Sequence, residues 1–376
     1  MNILIIGWNN NTNISGGMDI HIHNIAKNLA SKGHHISVFI HESQTNQTIK
    51  ETINENITYI SIPTAPNKSK NNTDFLKLIE NYNNQIINHI KNINFDIILS
   101  HDWIGINAAS KLKTKTNLWI HTVHSLEYMR SLENTNIKKS EIENLEKKGI
   151  LNADIVFTVS KYMQKEILKK YHQNTKLIYN GSSFTTFTTN KTIRTPTKTP
   201  TILYIGRLTA QKGVEYLILA SKKIIKKYPE TKFIIAGKGE LKQSLQNFAH
   251  TLCVSNNFKF LGFIPNEKLI ELYTSASIFV SPSIYEPFGI TILDAAYFKC
   301  PIIATKNTGA IELFPSNLIS IIEPQNSKSL SEKIINVLEN PKIHETKAKE
   351  LKNKIEKTNF WNITTDKIIN EIKNKQ

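Results

Sequence analysis

Two hydrophobic periods alternate along this chain. Residues 3–6 form a short continuous apolar run, the pattern of a strand buried on both faces. A polar loop, 8–17, leads into a helix-period stretch, 18–31, which Gly33 stops, and 36–40 is again a strand-type run. Strand, helix and strand in that order make a βαβ unit, which implies a parallel sheet with its ligand loops at the strand C-terminal ends. Runs at 57–62, 96–99, 118–120 and 155–159 predict further strands, with helices over 74–93 and 140–151. Residues 182–200, rich in Thr, Lys and Pro, carry no apolar period and read as a linker. The pattern then restarts, with strands at 201–205, 232–236, 259–261, 278–280 and 301–304. Helices are expected over 213–228, 239–253, from about 290, and over 327–340, 343–358 and 361–375. The expectation is an α/β chain of two doubly wound, Rossmann-like domains in tandem.

The densest chemistry lies in 281–313, SPSIYEPFGITILDAAYFKCPIIATKNTGAIEL. Pro282, Glu286, Pro287 and Gly289 interrupt an apolar run just before a helix begins near Ile290. The first N–H groups of a helix lack intrahelical partners and its dipole is positive there, so Gly289, Ile290 and Thr291 offer a phosphate site. Thr291 and Asp294, three apart, share a helix face expected to look toward the turn. Glu286 and Asp294 then read as two carboxylates for sugar hydroxyls, against the plainer reading of a solvated loop acid and a surface helix residue. Gly206-Arg207 and Gln211-Lys212-Gly213, after the strand at 201–205, combine two cations with a helix start, as a diphosphate pocket requires. In the first half, Gly16-Gly17 lack the GxGxxG spacing of a dinucleotide fingerprint and suit either an anion site or a plain helix-start turn. Polar clusters at 100–103 and 121–127 end two strands at the same sheet edge, bringing Asp102 and His124 there.

Composition narrows the classes. The 376 residues suit about two domains, and 40% hydrophobic with 21% charged residues is ordinary for a globular protein. Two cysteines exclude a disulfide framework and a cysteine-rich metal site and fit a reducing cytoplasm. The opening MNILIIG is too short for a signal or membrane segment, so a cytoplasmic, soluble or membrane-peripheral protein is expected. The net charge of +16 admits an anionic membrane surface or an anionic small substrate, although Asn, Ile and Lys enrichment throughout the chain accounts for it as well. No basic stripe interleaved with aromatics appears, so nucleic acid is not an expected partner.

Taken in order, the motifs resemble those of the family 4 glycosyltransferases of the GT-B type. EPFGITILD at 286–294 is similar to that family's stretch of two glutamates separated by seven residues, with Asp294 at the second position, one methylene shorter. SGG at 15–17, SHDW at 100–103, HTVHSLEY at 121–128, ADIVFTVS at 153–160 and YNG at 179–181 match in the first half. YIGRLTAQKG at 204–213, AGKGE at 236–240, LGFIPNEKLIELY at 261–273 and TGAIEL at 308–313 match in the second. HSLE and HDW lean toward the glycogen-synthase-like branch, while the loop 9–14 lacks that branch's aromatic-proline pattern.

The resemblance implies domains over 1–190, with a crossing helix 359–376, and over 191–358, facing a central cleft. It implies a retaining transfer of a hexose from a nucleotide-diphosphate sugar to a sugar, glucan or glycolipid hydroxyl, with no metal and no cofactor. By that likeness Arg207 and Lys212 hold the diphosphate with the amides of Ile290 and Thr291. Glu286 and the amides near Phe288 and Gly289 hold donor hydroxyls, Asp294 the ribose and backbone near Phe263 the base. Gly17 meets the phosphate or the acceptor, and His124 and Asp102 lie near the reacting sugar. The alternatives are a nucleotide-sugar epimerase or hydrolase of the same fold, and a non-catalytic protein binding nucleotide sugars or polyanions.

Overall fold

The computed structural model describes residues 1–8, 16–43, 49–64, 72–90, 93–116, 118–130, 137–184 and 194–375. Most of the loop expected at 8–17, including Ser15, and 185–193 of the 182–200 linker lie outside them. The chain divides into two compact units, 1–180 with 360–376, and 181–359.

Among the described residues the first unit is built on eight strands: β1 Asn2–Ile6, β2 His35–Ser43, β3 Lys50–Asn54, β4 Ile57–Thr64, β5 Ile97–His101, β6 Leu118–Val123, β7 Ile155–Thr158 and β8 Lys176–Leu177. Their order is β3-β4-β2-β1-β5-β6-β7-β8, and every pairing is parallel except β3 with β4. Side chains alternate across a strand, so β1 feeds two cores. Ile3 and Ile5 pack with Ile22, Ile25 and Leu29 of the helix Gly17–Ser31, whereas Leu4 and Ile6 pack with Tyr82 and Ile86 of Asn72–His89 and Ile106 of Ile106–Leu112. This two-sided burial is why β1 reads as an unbroken apolar run. The C-terminal helix Phe360–Lys373 joins the first core through Trp361, Ile368 and Ile372, each contributing about 2–3 kcal/mol by burial.

The second unit holds β9 Thr201–Ile205, β10 Lys232–Ala236, β11 Phe258–Gly262, β12 Ile278–Ser281, β13 Ile302–Thr305 and β14 Ser320–Ile322. The order is β11-β10-β9-β12-β13-β14, parallel throughout. Ile202 and Tyr204 of β9 bury against Leu217, Ile218 and Ile224 of Val214–Lys227 and Leu330 and Ile334 of Ser327–Glu339. On another face Phe184, Tyr273, Phe279 and Phe298 form an aromatic cluster, Phe184 meeting Phe298 edge-on at 4.9 Å between ring centroids. Among the described residues no helix is long and apolar enough to cross a membrane.

Candidate functional site

In the second sheet the strands progress outward from β9 through β10 to β11, and from β12 through β13 to β14 in the opposite direction. Loops leaving the C-terminal ends of β9 and β12 therefore diverge, and such a switch point is where open parallel sheets bind ligands. Gly206 and Arg207 follow β9, then one 3₁₀ turn, Ala210–Lys212, ends on Gly213 at φ +62°. A Cβ on Gly213 would stand 2.4 Å from the carbonyl oxygen of Pro282, so the two loops touch as closely as backbone permits. Gln211 fastens them: its carbonyl accepts from the Ile284 N–H at 2.9 Å, and its Nε2 donates to the Tyr285 carbonyl at 3.0 Å. The clamp brings Lys212 Nζ to 2.7 Å from Glu286 Oε2, with both side chains 13% exposed. Ser283 Oγ donates to the same oxygen at 3.2 Å. Arg207 is exposed, its carbonyl accepting from the Tyr204 hydroxyl at 2.7 Å, and its charge and that of Glu286 both act on that hydroxyl. Burial first, then the negative charge of Glu286, holds that phenol well above its usual range.

Backbone fixes Glu286 from the other side. Its N–H donates to the Asn307 carbonyl and its carbonyl accepts from the Gly309 N–H, both at 3.0 Å. Gly289, at φ +98°, then opens the helix Ile290–Tyr297, and a Cβ there would lie 3.0 Å from Glu286 Cγ. The phosphate-type helix end thus starts against the carboxylate's stem. Phe288 and Ile290 bury their side chains, and Thr291 is half-buried. Phe263, just past β11, is 56% exposed with Lys238 Nζ 5.5 Å from its ring centroid.

Asp294 departs from its expected place. Its carboxylate does not look toward the turn but into the unit, 4% exposed. Oδ1 accepts from Ser182 Oγ at 2.7 Å and from the Ser183 N–H at 2.8 Å, and Oδ2 accepts from Ser183 Oγ at 3.1 Å. Burial outweighs these bonds and raises the carboxyl to about 7. With both oxygens engaged, Asp294 anchors the chain leaving Gly181 and does not face the turn. The short side chain and the serine pair are the physical reason.

In the first sheet the direction changes between β1 and β5. Gly17, exposed, starts the helix after β1 from an extended Gly16. Asp102 follows β5 at φ +46° and is 8% exposed. Its Oδ1 accepts from the backbone N–H groups of His124 at 2.7 Å and Ser125 at 3.2 Å, and Arg130 stands 3.5 Å from Oδ2. It therefore shapes the turn that carries His124. Arg130 also reaches Glu127 at 3.0 Å and Glu146 at 2.9 Å, while Glu146 Oε1 accepts from the Glu127 N–H at 2.7 Å. His124 Nε2 lies 3.1 Å from His101 Nδ1, and the ring of His21, from the first helix, stands 4.7 Å from that of His124. Burial lowers His124 and His21 to about 3 and His121 to about 4, so these imidazoles are neutral at pH 7.

Residues 15–183 match the family described as Glycosyltransferase Family 4, and 186–358 match Glycosyl transferases group 1. The chain is a glycosyltransferase. An uncharacterized glycosyltransferase from Methanocaldococcus jannaschii is 28% identical, the alignment covering 88% of this chain and 87% of that one. A glycogen synthase from Mycobacterium tuberculosis is 23% identical over 96% of this chain and 92% of its own. Among solved structures, sucrose-phosphate synthase from Thermosynechococcus elongatus superposes with a TM-score of 0.86 at 20% identity, covering 99% and 98% of the two chains. The fold of this glycosyltransferase is thus of the GT-B type.

Within the second unit the glycosyltransferase gathers Arg207, Lys212, Glu286 and the helix start at Gly289–Thr291 at one switch point, and within the first it places Asp102 and His124 on adjacent strand ends. Sequence reading missed Arg130, Glu146 and His21, and met His101 only as part of the HDW motif. HDW and HSLE marked the strand ends, but His21 sits mid-helix, and only its place among buried positions of an amphipathic pattern could have singled it out.

Proposed function

We propose that this glycosyltransferase binds a nucleotide-diphosphate sugar in its second unit and transfers the hexose, with retention and without a metal, to a hydroxyl of a sugar, glucan or glycolipid. The observation that carries the reading is the Lys212–Glu286 pair at 2.7 Å, together with Arg207 and the start of the helix Ile290–Tyr297. A diphosphate needs cationic and N–H donors, and a hexose needs an acceptor for its hydroxyls; this arrangement supplies both. As the bond from the anomeric carbon to the diphosphate oxygen breaks, negative charge grows on the leaving group, and Lys212, Arg207 and the helix-end amides offset it as preorganised donors. They fill the role a divalent ion would otherwise take. The departing phosphate oxygen accepts the proton of the incoming hydroxyl, and the new bond forms on the face the phosphate leaves. Glu286 orients hydroxyls and does not attack. In the first unit His124, neutral by burial and with its turn held by Asp102, offers a hydrogen bond to a sugar hydroxyl. For a glycolipid acceptor, the +16 net charge supports peripheral contact with an anionic membrane.

Lys212→Ala and Glu286→Ala are each expected to lower transfer by about a hundredfold or more while keeping the melting profile, a loss typical of removing preorganised electrostatic groups. Near-normal turnover in both sinks the assignment. A thermal-shift series with UDP, GDP and ADP sugars identifies the nucleotide, since a donor at a hundred times its Kd stabilises by about 2.7 kcal/mol. Unchanged transfer in excess EDTA is expected. Donor consumption without a glycoside product points to an epimerase or hydrolase instead, and salt-sensitive DNA or lipid binding without turnover to a binding protein.

A further inference from the structure

We propose that His21, His101 and His124 form a binding site for a divalent transition-metal ion of the zinc type, at the C-terminal edge of the first unit's sheet. One ring nitrogen of each lies within 4.8 Å of the others, and the two nearest, His101 Nδ1 and His124 Nε2, are 3.1 Å apart. Two imidazoles on one tetrahedral zinc have their nitrogens about 3.3 Å apart, so that pair already has the spacing of two ligands. Only His21 has to swing inward.

Three further observations point to a cation. First, His21 Nδ1 donates to Asn180 Oδ1 at 2.7 Å, which leaves Nε2 as the bare lone pair. A carbonyl oxygen holding the far nitrogen is the usual way a protein fixes a metal-binding histidine in tautomer and direction. Second, His21 Nε2 is buried with no hydrogen-bond partner, although a buried polar atom left unsatisfied costs about 1–3 kcal/mol. A group that engages this cluster removes part of that cost. Third, the Asp102 carboxylate lies behind His124, its Oδ1 accepting from the His124 N–H at 2.7 Å, and its negative charge favours the charged forms of His21 and His121 even with Arg130 3.5 Å away. A carboxylate behind the imidazoles favours a cation there.

Neutral imidazole is a ligand for zinc, copper, cobalt and nickel, whereas magnesium and calcium prefer oxygen. Binding converts the His101–His124 contact into two metal bonds, and the proton between those nitrogens moves to the outer nitrogen of the ring that carried it, His101 Nε2 or His124 Nδ1. His124, 8% exposed, is the side from which an ion enters and a water can complete the coordination. The site shares His124 with the transfer chemistry proposed above but does not depend on it, and binding is measured without any sugar.

The test is titration of the metal-free full chain with Co²⁺, followed by zinc competition. One equivalent with an intense tetrahedral d–d band, displaced by Zn²⁺ and not by Mg²⁺, is expected. The band should vanish in His21→Gln and His101→Gln. It should weaken about 10–100-fold in affinity in Asn180→Ala, which removes only the partner of His21. A control variant lacking the exposed His35, His250 and Cys253 should bind as the native chain does. Absence of the band, or its persistence in both histidine variants, overturns the assignment. Should those variants fold poorly, anomalous diffraction from zinc-soaked native crystals decides: a peak within bonding distance of His21 Nε2 supports the site, and peaks only elsewhere refute it.

Discussion

Arg130 shows how one residue can organise a site it was not expected to touch. Its guanidinium, 17% exposed, lies against Asp102, Glu127 and Glu146, and its Nη1 donates to Ser125 Oγ at 2.5 Å. Removing one partner of a buried ionic network is costlier than never having built it, because the remaining charges stay behind uncompensated. Arg130→Met should destabilise the first unit by about 3–5 kcal/mol, read from urea unfolding. Arg130→Lys should lose less, since an ammonium keeps the charge but not the planar fork that serves three carboxylates. Equal stability of Arg130→Met and the native chain would mean that the network contributes nothing. Glu146, buried with one oxygen unpartnered, is raised to about 8 despite Arg130, so part of this network is already proton-neutralised at neutral pH.

At the scale of elements, the loops after β9 and β10 interlock through glycine. Gly237 sits at φ +142°, its N–H donates to the Gly262 carbonyl at 2.7 Å, and a Cβ there would stand 1.8 Å from the Gly206 carbonyl oxygen. That contact is with backbone and cannot rotate away. Gly237→Ala should therefore cost about 3 kcal/mol or more and displace Arg207, lowering both the melting temperature of the second unit and donor affinity. An unchanged melting temperature would show that the two loops do not meet as described. The strands around these loops were legible in the sequence because a parallel strand buried on both faces is a continuous apolar run. The edge strand β3 was not: Lys50–Asn54 is mostly polar and its Ile53 is 74% exposed, so no burial pattern marks it. The site divides in the same way. Lys212 and Glu286 follow strand ends, where position alone suggests a ligand. The partners of Asp294 are 111 and 112 residues away, and no spacing along the chain reveals such a contact.

At the scale of the whole molecule, the two units titrate in opposite senses. The first buries His21, His101, His121 and His124, all lowered by desolvation. A histidine neutral in the fold but free to protonate near 6.5 when unfolded contributes stability above that pH, and it is lost as pH falls toward 3 to 4. Desolvation lowers His23, His34 and His41 of this unit as well, and Glu146, raised to about 8, works against all of them. In the second unit Asp294 is raised from 3.8 to about 7. The native state there holds a proton that the unfolded chain releases, so stability falls as pH rises from about 4 to 7 and levels above it. Each unit has its own core, and calorimetry should resolve two transitions. Between pH 7.5 and 5.5 the first unit's transition should drop by several degrees while the second's holds or rises, since one pKa unit is worth about 1.4 kcal/mol and one kcal/mol moves a unit of this size by about 2–4 °C. Asp294→Asn assigns the transitions, because it removes the low-pH stabilisation of the second unit alone, leaving there the opposite response of His344, which burial lowers. Two transitions that shift together, or a low-pH stabilisation of the second unit that survives Asp294→Asn, would place the titrating groups elsewhere.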